Sequence, residues 1–254
     1  PTKIKGKLST IDNDTSRNFF IPGKPEYFKS ENVIEFETLL TDILAKGDVK
    51  SKLVAAVAAI EECSYQEMEY FSSLSANELT RLLITGLDKE KGMYFSPVPN
   101  LIFTRDIGIM INDHFLLNKP AKLARRRESL LAKYVFFNHP MFANLRSNLI
   151  EIEENEEQFL MPEDEQSGKE ETLEGGDVMM VAPNHLLIGI SERTSVEAAR
   201  QIMRKLFDKK VLTKVTLVKI PAKRDYMHID TIFTQIKKNV WVLLASIGRT
   251  AEKH

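Results

Sequence analysis

A chain of 254 residues can bury one large core, or a core with a smaller helical lobe, and its 43% hydrophobic content excludes a disordered polymer. The formal net charge of −1 provides no global field to draw in nucleic acid or an anionic membrane. One cysteine, Cys63, excludes an internal disulfide and a cysteine-based metal cluster.

In chain order, residues 1–10 hold no apolar h-region, so no secretory signal is expected there. No stretch approaches the ~20 apolar residues of a membrane span. The expectation is a soluble, cytoplasmic protein. From 30 to 86 the pattern is helical. Val33, Phe36, Leu39, Leu40, Ile43 and Leu44 fall at helical spacing, with Gly47 as a stop signal. Leu53, Ala56, Val57 and Ile60 make a second stripe, and Ser75 with Glu78 forms a capping box for a third helix over 79–83.

After Gly92 the pattern changes to strands. Three stretches each begin with an aspartate, run into an apolar strand, turn at a polar pair and continue as a second strand. They are 106–117 with a turn at Asn112-Asp113, 177–190 with a turn at Pro183-Asn184, and 230–245 with a turn at Lys238-Asn239. Helices are expected over 123–136 and 196–207, the second opened by a capping box of Thr194 and Glu197, and a further strand over 215–220. The acidic stretch 151–171 reads as a solvated loop. With that loop set aside the repeat is ~50 residues long, a period of radial or stacked architectures. Each unit reads strand, strand, helix, strand.

Three segments carry residues with chemistry. Phe103-Thr104-Arg105-Asp106, Leu173-Glu174-Gly175-Gly176-Asp177 and Met227-His228-Ile229-Asp230-Thr231 each stand at the start of a unit. The paired glycines allow either a close backbone approach or a positive φ. In an extended segment His228 and Asp230 would share one face, and a histidine beside a carboxylate suits acid–base work near neutrality. If the units close around an axis, Asp106, Glu174, Asp177, His228 and Asp230 converge. Carboxylates so gathered need a cation, either a metal or a guanidinium. Arg125 and Arg193 recur at similar places past the second strand of successive units.

The three motifs together, with Pro120-Ala121-Lys122 and the run 189–194, resemble arginine deiminase, a family of guanidine-modifying enzymes; the similarity covers roughly 97–235. The resemblance implies an α/β fold, a pseudo-symmetric propeller of ββαβ units that is incomplete in this chain. Residues 1–29 would form its N-terminal segment, 30–92 a helical insertion and 93–254 the ββαβ units. It further implies hydrolysis of L-arginine to citrulline and ammonia through a covalent cysteine adduct, with no cofactor and no metal. Asp106 and Asp230 would bind the guanidinium, assisted by Glu174, and His228 would serve as general acid and base. Phe103 would line the path of the substrate's side chain. Asn100, Arg125 and Arg193 would hold its α-amino-acid end, and Asp177 would belong to the substrate site. The expected partner is the small molecule alone, with no nucleic acid or membrane and with room for a homo-oligomer. The family's nucleophile would lie beyond His254. Glu61 and Glu62 disfavour a thiolate at Cys63, which reads as structural. Other guanidine enzymes (amidinotransferase, dimethylarginine hydrolase, agmatine deiminase) and a non-catalytic arginine-binding homologue remain alternatives.

Overall fold

The structure, a computed structural model, describes residues 35–99, 101, 103–153, 171–221, 223–237, 239–245 and 247. Two compact units are distinguished, Pro1–Leu39 and Leu40–His254. Of the first, only residues 35–39 are described, Glu35 and the opening turn of helix α1 (Phe36–Leu44). Val33, Asn100, Lys238 and the expected N-terminal segment lie outside the described residues.

Three more helices follow, α2 (Gly47–Ile60), α3 (Tyr65–Ser73) and α4 (Ala76–Thr85). Gly47 opens α2 instead of stopping α1, which has already ended at Leu44. The buried stripe of α2 is Val49, Leu53, Val54, Val57 and Ala58. Ile60 faces outward, because the apolar face drifts around the helix with its 3.6-residue period. The box of Ser75 and Glu78 forms as expected, and an identical one, Ser64 with Glu67, starts the unforeseen α3. Gly86 ends α4 at φ 72, in the left-handed region, and a Cβ there would overlap the carbonyl of Phe95. A small hairpin, β1 (Leu87–Asp88) with β2 (Gly92–Met93), leads out of the helices.

The next segment contains two ββαβ units. In the first, the short helix α5 (Thr104–Ile107) precedes β3 (Gly108–Ile111), which pairs antiparallel with β4 (His114–Leu117). A 3-10 turn at Leu123–Arg125 and helix α6 (Arg126–Asn138) then cross over. The unit closes on β5 (Leu149–Ile150), parallel to β4. In the second, β6 (Val178–Ala182) pairs antiparallel with β7 (His185–Ile190). Helix α7 (Val196–Asp208) crosses over, and β8 (Lys214–Lys219) runs parallel to β7. A third hairpin, β9 (Phe233–Lys237) with β10 (Val240–Leu243), repeats the opening of a unit. Among the described residues no helix is long and apolar enough to cross a membrane.

β7 shows why a parallel crossover needs cover on both faces. Leu186 and Ile188 pack on Ala198, Ala199, Ile202 and Leu206 of α7, while Leu187, one residue out of phase, meets Ile220, Ile229 and Ile232. Asn112, at φ 55 in the turn of the first unit, donates to the carbonyls of Pro183 at 2.9 Å and Val211 at 3.2 Å. That side chain staples the turns of the two units together. The expected box of Thr194 and Glu197 does not form. Ser195 caps α7 through Ala198 N, because the Thr194 hydroxyl is taken by the N–H of Glu174.

The aspartates were expected as first residues of strands. Each instead sits in a single helical turn just before one: Asp106 in α5, Asp177 in the 3-10 turn Gly175–Asp177, and Asp230 in the 3-10 turn Ile229–Thr231. His228 and Asp230 therefore do not share the face of a strand, because His228 is the N-cap of that turn. What the turns do is aim three acidic side chains from equivalent positions.

Candidate functional site

Glu174 is the hub of the site. Its side chain is 1% exposed, and four donors converge on it. His228 Nε2 lies 2.9 Å from Oε2, Arg125 Nη1 3.1 Å from the same oxygen, Arg193 Nη1 3.4 Å from both oxygens, and Ala121 N 3.2 Å from Oε1. Burial works to raise the pKa of this carboxyl. The hydrogen bond from His228, the two guanidiniums and the Ala121 N–H outweigh it and hold the group below its ordinary range. For His228, burial disfavours the charged ring. Its hydrogen bond to Glu174 and the charges of Asp177, Glu174 and Asp230 prevail, so its pKa is raised. Each of the two groups therefore favours the charged form of the other.

The other acids are arranged around this pair. Arg125 bridges from Glu174 to Asp106, its Nη2 3.3 Å from Asp106 Oδ1, and reaches Glu128 Oε1 at 3.1 Å. Asp230 pairs with Arg105 at 3.1 Å. Burial pushes its pKa up, Arg105 and His228 pull it down, and the nearby charge of Asp106 adds to the rise. The sequence reading placed Asp177 on the substrate. In the structure it is fully buried, with Oδ1 taken by Ile229 N at 2.9 Å and Oδ2 by Ser191 Oγ at 2.6 Å. It braces the turn that carries His228. Burial raises its pKa too, against the opposing hydroxyls of Ser191 and Thr194.

Arg125 and Arg193, expected at the far end of a substrate, both have their guanidiniums on Glu174. Phe103, the residue before α5, is 59% exposed. Asn100 lies outside the described residues. At Cys63 burial, then the charges of Glu67 and Glu61, raise the thiol pKa, which leaves it a poor nucleophile. Ser191, Thr194, Ala121 and Arg105 all lie in the segments that carry the resemblance, yet the sequence assigned none of them a role, because their roles come from contacts between distant segments.

The glycine pair is explained by close approach. Neither glycine has positive φ. A Cβ on Gly175 would overlap the carbonyl of Arg105, and one on Gly176 would overlap the His228 ring, within 2.5 Å of Nδ1. Gly176→Ala is therefore expected to displace the imidazole from Glu174 and let its raised pKa fall. Titration of the ring by NMR in the full-length polypeptide checks this.

A family model described as arginine deiminase matches residues 32–254. The arginine deiminase of Borrelia duttonii (strain Ly) is 29% identical over 228 residues, 80% of this chain and 52% of that protein. That of Borrelia garinii subsp. bavariensis is 30% identical over 233 residues, 83% of this chain and 53% of its own length. The chain thus spans about half the length of the curated relatives it matches. Among solved structures, dimethylarginine dimethylaminohydrolase from Pseudomonas aeruginosa complexed with citrulline is 20% identical, with a TM-score of 0.44, covering 61% of this chain and 51% of that one. The N-terminal domain of ArgZ, an arginine dihydrolase of cyanobacteria, is 18% identical, with a TM-score of 0.42, covering 62% and 50%. On the extent of the family match, which takes in every described residue, the chain belongs to the arginine deiminase family.

Proposed function

We propose that the full-length protein containing this chain hydrolyses the guanidinium group of L-arginine to citrulline and ammonia. The observation that carries this reading is the fully buried Glu174 joined to His228, with Asp106 and Asp230 on neighbouring turns. Several acids around one centre suit a planar cation with a fork of donors, and the family is one of enzymes acting on such a cation.

In this mechanism Asp106, Glu174 and Asp230 hold the substrate guanidinium. Arg125 and Arg193 exchange partners to take its α-carboxylate, the role at that end which the family resemblance also gives Asn100, and Phe103 lines the path of its side chain. A cysteine thiolate from another part of the full-length protein attacks the guanidinium carbon. The protonated His228 delivers its proton to the leaving nitrogen, and ammonia departs. Neutral His228 then takes a proton from water as the water adds to the covalent adduct. The tetrahedral intermediate collapses to citrulline and restores the thiolate. Asp177 acts on this chemistry through the position of His228. In the same reading the ββαβ units belong to a pseudo-symmetric propeller, with 30–92 as a helical insertion. Two consecutive units and a third opening hairpin, each preceded by an acid-bearing turn, support it.

Incubating the full-length protein with L-arginine should yield citrulline and ammonia in equal amounts, with agmatine and dimethylarginine turned over far less. Full-length protein that binds arginine in a calorimeter without producing citrulline would overturn the catalytic assignment in favour of a binding protein.

A further inference from the structure

Arg105 stands beside Asp106 in sequence, yet its guanidinium leaves the α5 turn and reaches two other segments. Nη1 donates to Asp230 Oδ2 at 3.1 Å. Nη2 donates to the carbonyl of Gly175 and, at 2.6 Å, to that of Val178. Its own carbonyl accepts from Asn118 Nδ2 at 2.6 Å and occupies the space a Cβ on Gly175 would need. One residue thus touches all three turns that carry Asp106, Glu174 and Asp230.

An exposed ion pair by itself accomplishes little, since water competes for both partners and two long side chains must be ordered. The Arg105–Asp230 pair is half open, at 45% and 28% side-chain exposure. Its carbonyl contacts alter that balance. Gly175 and Val178 already hold one limb of the planar fork, so little further side-chain freedom is lost when the other limb meets the carboxylate. Lysine has no such fork. Its single ammonium can follow the carboxylate or the carbonyls, and not both in this geometry.

We propose that Arg105 is a positioning residue for the arginine reaction, fixing the Asp230 carboxylate in place for the substrate guanidinium while locking the turn behind Glu174. The role rests on the functional reading above. The charged groups facing Asp230 are Arg105, His228 and Asp106, and of the two cations Arg105 has the larger effect. Without it the half-buried Asp230 keeps a like-charged neighbour, so its protonation should shift to higher pH.

The test follows the Asp230 carboxyl by 13C NMR in the full-length protein, with the resonance assigned by its loss in Asp230→Asn. Wild type is compared with Arg105→Lys and Arg105→Met. The midpoint is expected to rise in the methionine variant and to lie between the two in the lysine variant. The KM for arginine should rise about tenfold in the methionine variant, with kcat changing less than about threefold. The acid limb of kcat/KM should move to higher pH in the same order. If the methionine variant fails to fold, the lysine variant must still show a midpoint above wild type. An Asp230 midpoint that stays at the wild-type value in every folded variant overturns the proposal, whether or not arginine is turned over. Wild type that neither binds nor consumes arginine defeats the functional reading instead, and the carboxyl titration still decides whether Arg105 governs Asp230.

Discussion

Glu174→Gln is expected to lower the unfolding free energy of the full-length protein by about 3 kcal/mol, the lower end of the cost of breaking a buried ion pair. The amide matches the carboxyl in volume, so no cavity opens and the loss is electrostatic. His228, Arg125 and Arg193 all lose the charge that compensates them, and one end of the new side chain presents an NH2 to groups that are themselves donors. Arg125 retains Asp106 and Glu128, which keeps the figure at the low end of that range. Urea unfolding read by midpoint and slope measures the effect. A loss below about 1 kcal/mol would mean that water takes over the role of the carboxylate.

His228→Asn is expected to slow arginine turnover by about 10²–10⁴-fold, the usual share of a positioned acid–base group. It should also change how stability depends on pH. The folded-state pKa of His228 is raised above 6.5, so the stability it contributes is full below 6.5 and is lost as pH climbs through the folded value. That of Glu174 is lowered below 4.5, so its contribution is present above 4.5 and is lost as pH falls through its folded value. Together they favour the folded state across the interval between those two values. Asp177 and Asp230, both raised by burial, act in the opposite sense in acid and partly mask the Glu174 limb. The alkaline limb is the cleaner observable. The asparagine variant should lose the decline above pH 6.5 and keep most of the acid dependence, because Arg125 and Arg193 still face Glu174. Unfolding midpoints collected from pH 4 to 9 on both proteins decide the matter, and parallel curves would rule out the ionised pair.

Much of the local architecture could be read without coordinates. The hairpin turn at Asn112-Asp113, the one at Pro183-Asn184, the crossover helix over 196–207 and the capping box at Ser75 each depend on residues within a few positions of one another. At two positions competing local rules led to a different outcome from the one expected. Gly47 resembled a helix stop but opens α2, and Thr194 resembled an N-cap but serves Glu174. The β5 strand escaped notice because two residues, Leu149 and Ile150, carry no period of their own.

From the sequence came the alternation, the helical spacing and the short motifs that announce a repeated unit with acids at its start. They are short-range properties, set by sterics and hydrogen bonding within a turn or two. Tertiary structure alone decided which cation meets which acid. Arg105 reaches Asp230 across 125 positions, Glu174 meets His228 across 54, and Ala121 finds Glu174 across 53. No local rule ranks such partners. The choice rests with the packing of one unit against the next, which removes water from Glu174 and leaves the chain's own donors to replace it.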